Sequence, residues 1–249
     1  LNPQLATILA IHAHPDDVEI LCGGTLALLA AAGHRIAIVT MTPGDCGSAE
    51  RGPEEIASVR RREAARAAAH IAADYRCAEF RDMAIFSDDP ARRRVTEILR
   101  CIRPAIILTA PPADYMADHE TTSLLVRDAC FVAPAPNYRT GAENAAPALP
   151  AIPHLYFVNS LAGTESEFYL DIRTTFAAKR AMLAEHDSQR SWLSKQHGID
   201  DYLDQMERWT RENGTRAGVE FAEGFRQYKG HPYPATPLLQ DLLRDYHVG

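Results

Sequence analysis

One short run, His12-Ala13-His14-Pro15-Asp16-Asp17, gathers side chains suited to holding a divalent cation and to moving protons. Imidazole and carboxylate are hard-to-borderline ligands of the kind zinc takes. Pro15 fixes its own φ and biases His14 towards an extended backbone, which holds the turn open. Adjacent side chains diverge, so Asp16 and Asp17 can divide the work, one on an ion and the other facing an open coordination position. A catalytic zinc site needs three protein ligands and a free fourth corner, and His119 is a candidate to complete the set. The blander alternative makes Asp16 and Asp17 helix caps and His14 a satisfied loop residue. The position of His119 behind a neighbouring expected strand weighs against it.

These residues matter only through the elements that position them. The first half alternates apolar, β-branched runs with helix-forming stretches. Strands are expected at 6–11, 35–41, 77–80 and 105–109, and helices at 23–32, 53–73, 90–102 and 118–131. That rhythm implies a parallel sheet covered on both faces. In open parallel sheets, ligands bind beyond the carboxyl ends of the strands. Residues 12–17 follow the first expected strand, Gly44-Asp45 the second, Asp82 the third, and the run from Asp114 to His119 the fourth. The expected class is α/β: a three-layer αβα, Rossmann-like arrangement with a mostly parallel sheet and a helical C-terminal part. Residues 133–153, rich in Pro, Ala and Asn, read as a long loop of the functional or mobile kind. Further strands are expected at 152–158 and 168–172, with helices after them. There Ile199, Tyr202, Leu203, Met206 and Trp209 fall near helical spacing, first of all as a face packed on the core, with a subunit interface as the alternative.

Composition narrows the function classes. The chain has 249 residues, enough to bury a sizeable core. Its 26 basic and 33 acidic side chains give a formal charge of −7, which argues against a general nucleic-acid or anionic-membrane binder. The five cysteines, Cys22, Cys46, Cys77, Cys101 and Cys130, are scattered without a C-x-x-C pair. A disulfide framework or a thiolate zinc knot is therefore not expected. No apolar run approaches the roughly 18 residues of a membrane span, and no basic-then-apolar leader is visible, so a cytoplasmic location is expected. No G-x-G-x-x-G follows the first strand and no G-x-S-x-G elbow occurs, which disfavours a nucleotide-binding oxidoreductase and a serine hydrolase.

The run His14-Pro15-Asp16-Asp17-Val18-Glu19 with Cys22-Gly23-Gly24-Thr25 resembles the signature of the LmbE-like/PIG-L family of zinc-dependent N-deacetylases. The resemblance continues through Thr42-x-Gly44-Asp45, Arg60-x-x-Glu63-Ala64, Asp82, Asp118-His119, Asp171-Ile172, and from Lys179 to His186-x-Ser188-Gln189. It implies one LmbE-like domain over 1–249, with a Rossmann-like half at 1–132, the loop at 133–153, and strands plus C-terminal helices at 154–249. It also implies that His14, Asp17 and His119 bind one Zn2+ per chain, or another divalent metal, and that Asp16 is the general base for the metal-held water. The implied partner is a small amino-sugar-type substrate, and family members often assemble as homo-oligomers.

The chain departs from the family at one position. Many relatives read His-Pro-Asp-His where this sequence has Met116-Ala117-Asp118-His119, and a thioether cannot act as acid or oxyanion donor. Either Asp16 shuttles the proton both ways, or another group supplies it, with His12, Asp114 and Tyr115 as candidates by position; otherwise the reaction or substrate differs. Arg60, Asp45 and Asp82 are expected to contact substrate, against the alternatives of a surface ion pair with Glu63 for Arg60 and turn chemistry for the aspartates. Glu19 and Asp118 are expected to orient ligand imidazoles. His186 reads as a packed helical residue, and Tyr228, His231 and Tyr233 as an aromatic packing cluster. The leading expectation is a zinc hydrolase that removes an acyl group, most often acetyl, from an amino sugar or its conjugate. The alternatives are a metal-binding protein with altered or lost turnover, suggested by Met116, and a metal-dependent phosphoesterase. The last is disfavoured because no second ligand cluster is evident.

Overall fold

The computed structural model describes residues 5–159, 166–199 and 201–248. Its frame is a sheet whose first strands, β1 (Thr7–His12), β2 (Arg35–Thr40), β3 (Asp74–Cys77), β4 (Ile106–Thr109) and β5 (His154–Val158), are all parallel. Strands β6 (Phe168–Asp171), β7 (Ala222–Gln227) and β8 (His247–Val248) extend it antiparallel, giving the order β3-β2-β1-β4-β5-β7-β6-β8. Strands β1 and β4 are apolar almost throughout because helices cover both faces. Alternate residues feed two separate cores. Ile8, Ala10, Ile36 and Ile38 pack with α1 (Asp17–Ala31) and α2 (Pro53–Ala69) on one face. Leu9, Ile11, Ala37 and Val39 pack with α3 (Asp89–Ile102) and α4 (Ala117–Val132) on the other. The three-layer αβα class expected from the sequence is the one observed.

Several boundaries differ from expectation. The third strand lies at Asp74–Cys77 rather than 77–80; it is the sheet's edge strand, half exposed, and so lacks the apolar run that marks a central strand. Helix α1 begins at Asp17, six residues before the expected start, and takes in the Cys22-Gly23-Gly24-Thr25 run. The C-terminal part is not only helical. It contains α5 (Phe176–Ala184), α6 (Asp187–His197), α7 (Tyr202–Ala217) and α8 (Leu238–Leu242), but β7 threads between β5 and β6. The loop at 133–153 is held down: the Arg100 guanidinium donates to the carbonyls of Ala133, Ala135 and Tyr138. Among the described residues no helix is long and apolar enough to cross a membrane.

Strand β7 matters because of Glu223. Its carboxylate is buried, accepts from the amides of Gly24 (2.9 Å) and Thr25 (2.7 Å), and pairs with buried Lys179 at 2.6 Å. Gly24 permits this approach, since a Cβ there would lie 2.5 Å from Ile172 Cδ1. The arrangement locks α1, and with it the turn that carries His14 to Asp17, against the far side of the sheet. Removing one partner of a buried pair leaves an uncompensated charge, at a cost of about 3–5 kcal/mol. Lys179→Met should therefore lose stability on that scale in urea denaturation; a loss below about 1 kcal/mol would show that the pair does not hold α1.

Candidate functional site

The register Ile11↔Thr109 sets the carboxyl ends of β1 and β4 side by side. The chain leaves β1 through the turn at 13–16 into α1, and leaves β4 through 110–116 into α4. His14 and Asp17 thus come from one helix start and His119 from the next. His119 Nε2 lies 3.3 Å from His14 Nδ1 and 3.5 Å from Asp17 Oδ2, and His14 Nδ1 lies 3.4 Å from Asp17 Oδ2. A cation held about 2.1 Å from tetrahedrally disposed donors needs them roughly 3.4 Å apart. The three atoms form a triangle of that size, all from buried residues. Two neutral-capable nitrogens and one carboxylate oxygen suit a divalent ion.

Each outer imidazole nitrogen faces a carboxylate. His14 Nε2 is 3.0 Å from Asp82 Oδ1 and 3.4 Å from Asp118 Oδ2, while His119 Nδ1 is 3.3 Å from Asp114 Oδ1. These contacts are close but off the line of a well-directed hydrogen bond. Carboxylates so placed fix ring orientation and raise ligand basicity. Asp118 is itself held by the amides of Met83 (2.8 Å) and Ile85 (3.4 Å), and Asp82 Oδ2 accepts from the Cys46 amide. Among the described residues, ligand-type atoms thereby converge in two groups, His12 with Asp17 and His119, and His14 with Asp82 and Asp118; the sequence did not reveal the latter. The His14–Asp17–His119 triangle draws on both groups.

Charge follows from this packing. Burial alone would lower the His14 pKa, but Asp118, Asp17 and Asp82 outweigh it and hold it well above the usual histidine value. Burial would raise Asp17; the surrounding histidines, His12 and His119 first, pull it well below the carboxylate range instead. Asp17 Oδ2 also meets His12 Nδ1 at 2.7 Å and accepts from the His14 amide at 2.8 Å. His12 therefore sits behind Asp17 rather than on the cavity, its pKa lowered by burial.

Asp16 differs from its neighbour. Its backbone has φ of 100°, a region L-residues rarely adopt, and such strain costs on the order of 1–3 kcal/mol and persists where the surroundings enforce it. The side chain enters the cavity. Tyr202 Oη donates to Oδ2, and the Arg60 guanidinium stands 3.9 Å from Oδ1. Burial raises the Asp16 pKa, with the nearby Arg60 charge opposing it. Arg60 donates to the carbonyls of Pro15 (2.9 Å) and Gly44 (3.4 Å), lying across Gly44, whose φ of 69° and lack of Cβ admit it.

Other sequence candidates fall elsewhere. Asp45 accepts from the Asp82 amide at 2.8 Å and does not line the main cavity. Glu19 meets buried His186, at 3.4 Å from Nε2, and not a ligand imidazole. Tyr228 and Tyr233 pack edge-on at 4.7 Å, away from the site. Met116 precedes α4 and lines the cavity. Tyr202 is the residue the sequence reading passed over. It lay within the amphipathic stripe taken as core, and nothing in helical spacing separates a core tyrosine from one whose hydroxyl reaches a carboxylate. The cavity encloses about 480 Å³ above the triangle, roofed by α6 and α7.

Fold and converging donors together define a metal-competent α/β protein with its site at the carboxyl edge of a parallel sheet. Residues 9–130, 122 of the chain's 249 residues, match the profile described as PIG-L: GlcNAc-PI de-N-acetylase. It is 42% identical over 74 residues to the 1D-myo-inositol 2-acetamido-2-deoxy-alpha-D-glucopyranoside deacetylase of Actinosynnema mirum, a match spanning 30% of this chain and 24% of that protein. The fold resembles N,N'-diacetylchitobiose deacetylase from Pyrococcus horikoshii (TM-score 0.79, 24% identity, 94% of this chain and 88% of that one). It also resembles the 4-carboxy-2-hydroxymuconate hydratase of Pseudomonas putida KT2440 (TM-score 0.75, 21% identity, 93% and 98%).

If the triangle grips an ion, elemental analysis of the purified chain should give about one divalent cation per molecule, and His119→Ala should lose it. Retention of a full equivalent by that variant would place the metal elsewhere.

Proposed function

We propose that this protein is a zinc-dependent hydrolase that removes an N-acyl group, most often acetyl, from an amino sugar or its conjugate. The observation that carries the reading is the 3.3–3.5 Å triangle of His14, Asp17 and His119 opening on the same cavity as the Asp16 carboxylate. When bound, zinc would supply Lewis-acid polarisation of the acyl carbonyl and make water acidic enough to attack near neutral pH. The profile match over residues 9–130 and the amino-sugar deacetylase from Actinosynnema support the substrate class.

The chain's own residues then divide the remaining work. Asp16 accepts the proton of the attacking water at Oδ1, since Oδ2 is occupied by the Tyr202 hydroxyl. Burial, which raises its pKa, makes it a stronger base than an exposed aspartate and lets it return the proton to the leaving amine. Met116 cannot serve as acid, and Asp114 is committed to His119, its pKa lowered despite burial by that imidazole. A two-way shuttle through Asp16 uses only groups that face the cavity. On the substrate side, Gln189 Oε1 is buried without a protein partner and provides an acceptor for a sugar hydroxyl or amide N–H. Arg60 keeps the turn in place through Pro15 and Gly44 and stands beside Asp16.

General acid–base groups contribute about 10²–10⁴-fold. Asp16→Asn should lose that much amine release from N-acetylated amino sugars while keeping its metal; near-wild-type turnover would remove Asp16 from the mechanism. Met116→His should raise the rate if proton return to the amine limits it. An unchanged or lower rate would show that Asp16 alone suffices. Absence of amine release from every acylated amine tested, with metal bound, would favour the reading in which Met116 marks an altered reaction.

A further inference from the structure

The cavity walls say what else the substrate carries. Charge is confined to the floor: Asp16, Asp17, Asp82, Asp114 and the histidines surround the metal triangle, and Arg60, the guanidinium among the described lining residues, is engaged with two backbone carbonyls. Above the floor the lining is Ile20 and Leu21 from α1, Trp192 and Leu193 from α6, Ile199, and Trp209 from α7. The polar side chains among them are neutral amides, Gln189 and Gln205, with His197 packed edge-on against Trp192 at 5.8 Å. Among the described lining residues above the floor, a second sugar or a phosphate would meet no carboxylate, lysine or arginine.

The rim extends the same character outward. Tyr115 is 65% exposed and Met83 70% exposed, an unusual setting for large apolar side chains that also line a cavity. Met83 is held there at a cost, with a left-handed φ of 60° pinned by the hydrogen bond its backbone N–H donates to Asp118. Met116 turns one more corner of the lining apolar.

We propose that the amine-bearing substrate carries an apolar aromatic or alkyl substituent beside its acylamino group, seated between α1, α6 and α7 against Trp192 and Trp209. The assignment rests on the hydrolase reading for the reactive end and on the cavity lining for the rest. Apolar burial drives the contact.

Both tryptophans of the chain line this cavity, so tryptophan emission reports on it. The metal-loaded protein would be titrated with the methyl and phenyl 2-amino-2-deoxy-glucopyranosides and with fully deacetylated chitobiose, a glucosamine disaccharide; these are products and cannot be turned over. Amine release would be measured separately from the three N-acetylated compounds. The phenyl glycoside should bind at least about tenfold tighter than the other two and shift the emission. Its kcat/KM advantage over the methyl glycoside should collapse in Trp209→Ala. Equal affinities, or tightest binding of the disaccharide, would overturn the proposal whether or not hydrolysis occurs. Selective binding of the phenyl compound with no amine release from any substrate would sink the hydrolase reading while leaving the assignment of the cavity intact.

Discussion

A single oxygen, Oδ2 of Asp17, is the point on which the site turns. It meets His12 Nδ1 and the His14 amide within 2.8 Å, and the inner nitrogens of His14 and His119 at 3.4 and 3.5 Å. An anion buried so deeply needs compensating positive charge, or an ion, at short range. The parallel pairing of β1 with β4 makes this geometrically available, because it sets two chain segments 105 residues apart at one end of the sheet. A slip of one residue in that pairing would send the strand residues to the opposite face and separate the two helix starts.

Behind the site lie two supports of different kinds. Carboxylates at Asp82, Asp118 and Asp114 brace the rings from outside, and Glu223 braces the helix that carries the turn. The first set acts on orientation and basicity, the second on stability. They also explain why so many acidic residues crowd one edge of a chain whose excess of negative charge is modest: each has a hydrogen-bond donor or an imidazole opposite it. Asp16 is the exception in kind, since one of its oxygens is tied to Tyr202 and the other is left towards the void.

Much of this was legible in the sequence, and the remainder failed for identifiable reasons. The central strands β1, β2 and β4 announce themselves as apolar β-branched runs, and the residues after them stand where a parallel sheet presents its ligands. Strand β7 was invisible because its sequence, Ala-Glu-Gly-Phe-Arg-Gln, shows no clean alternation; its glutamate is buried only because Lys179 and two amides wait for it. Strand β3 is an edge, where burial is too partial to leave a pattern. Tyr202 was read as part of a packed stripe, which in part it is, for Met206 and Leu183 pack beside it. Pairings such as Glu19 with His186, or Asp45 with the Asp82 amide, join residues far apart in the chain and no local spacing encodes them.

Glu223 also sets an order of assembly. It follows Gly24 by 199 residues, so a chain emerging from the ribosome holds its ligand-bearing turn and both neighbouring strands long before the carboxylate that fastens α1 has been made. Until then the amides of Gly24 and Thr25 have only water or their own helix to satisfy them, and Lys179 has no counter-charge. The residues from β7 onward complete the fastening of the turn that carries His14 to Asp17.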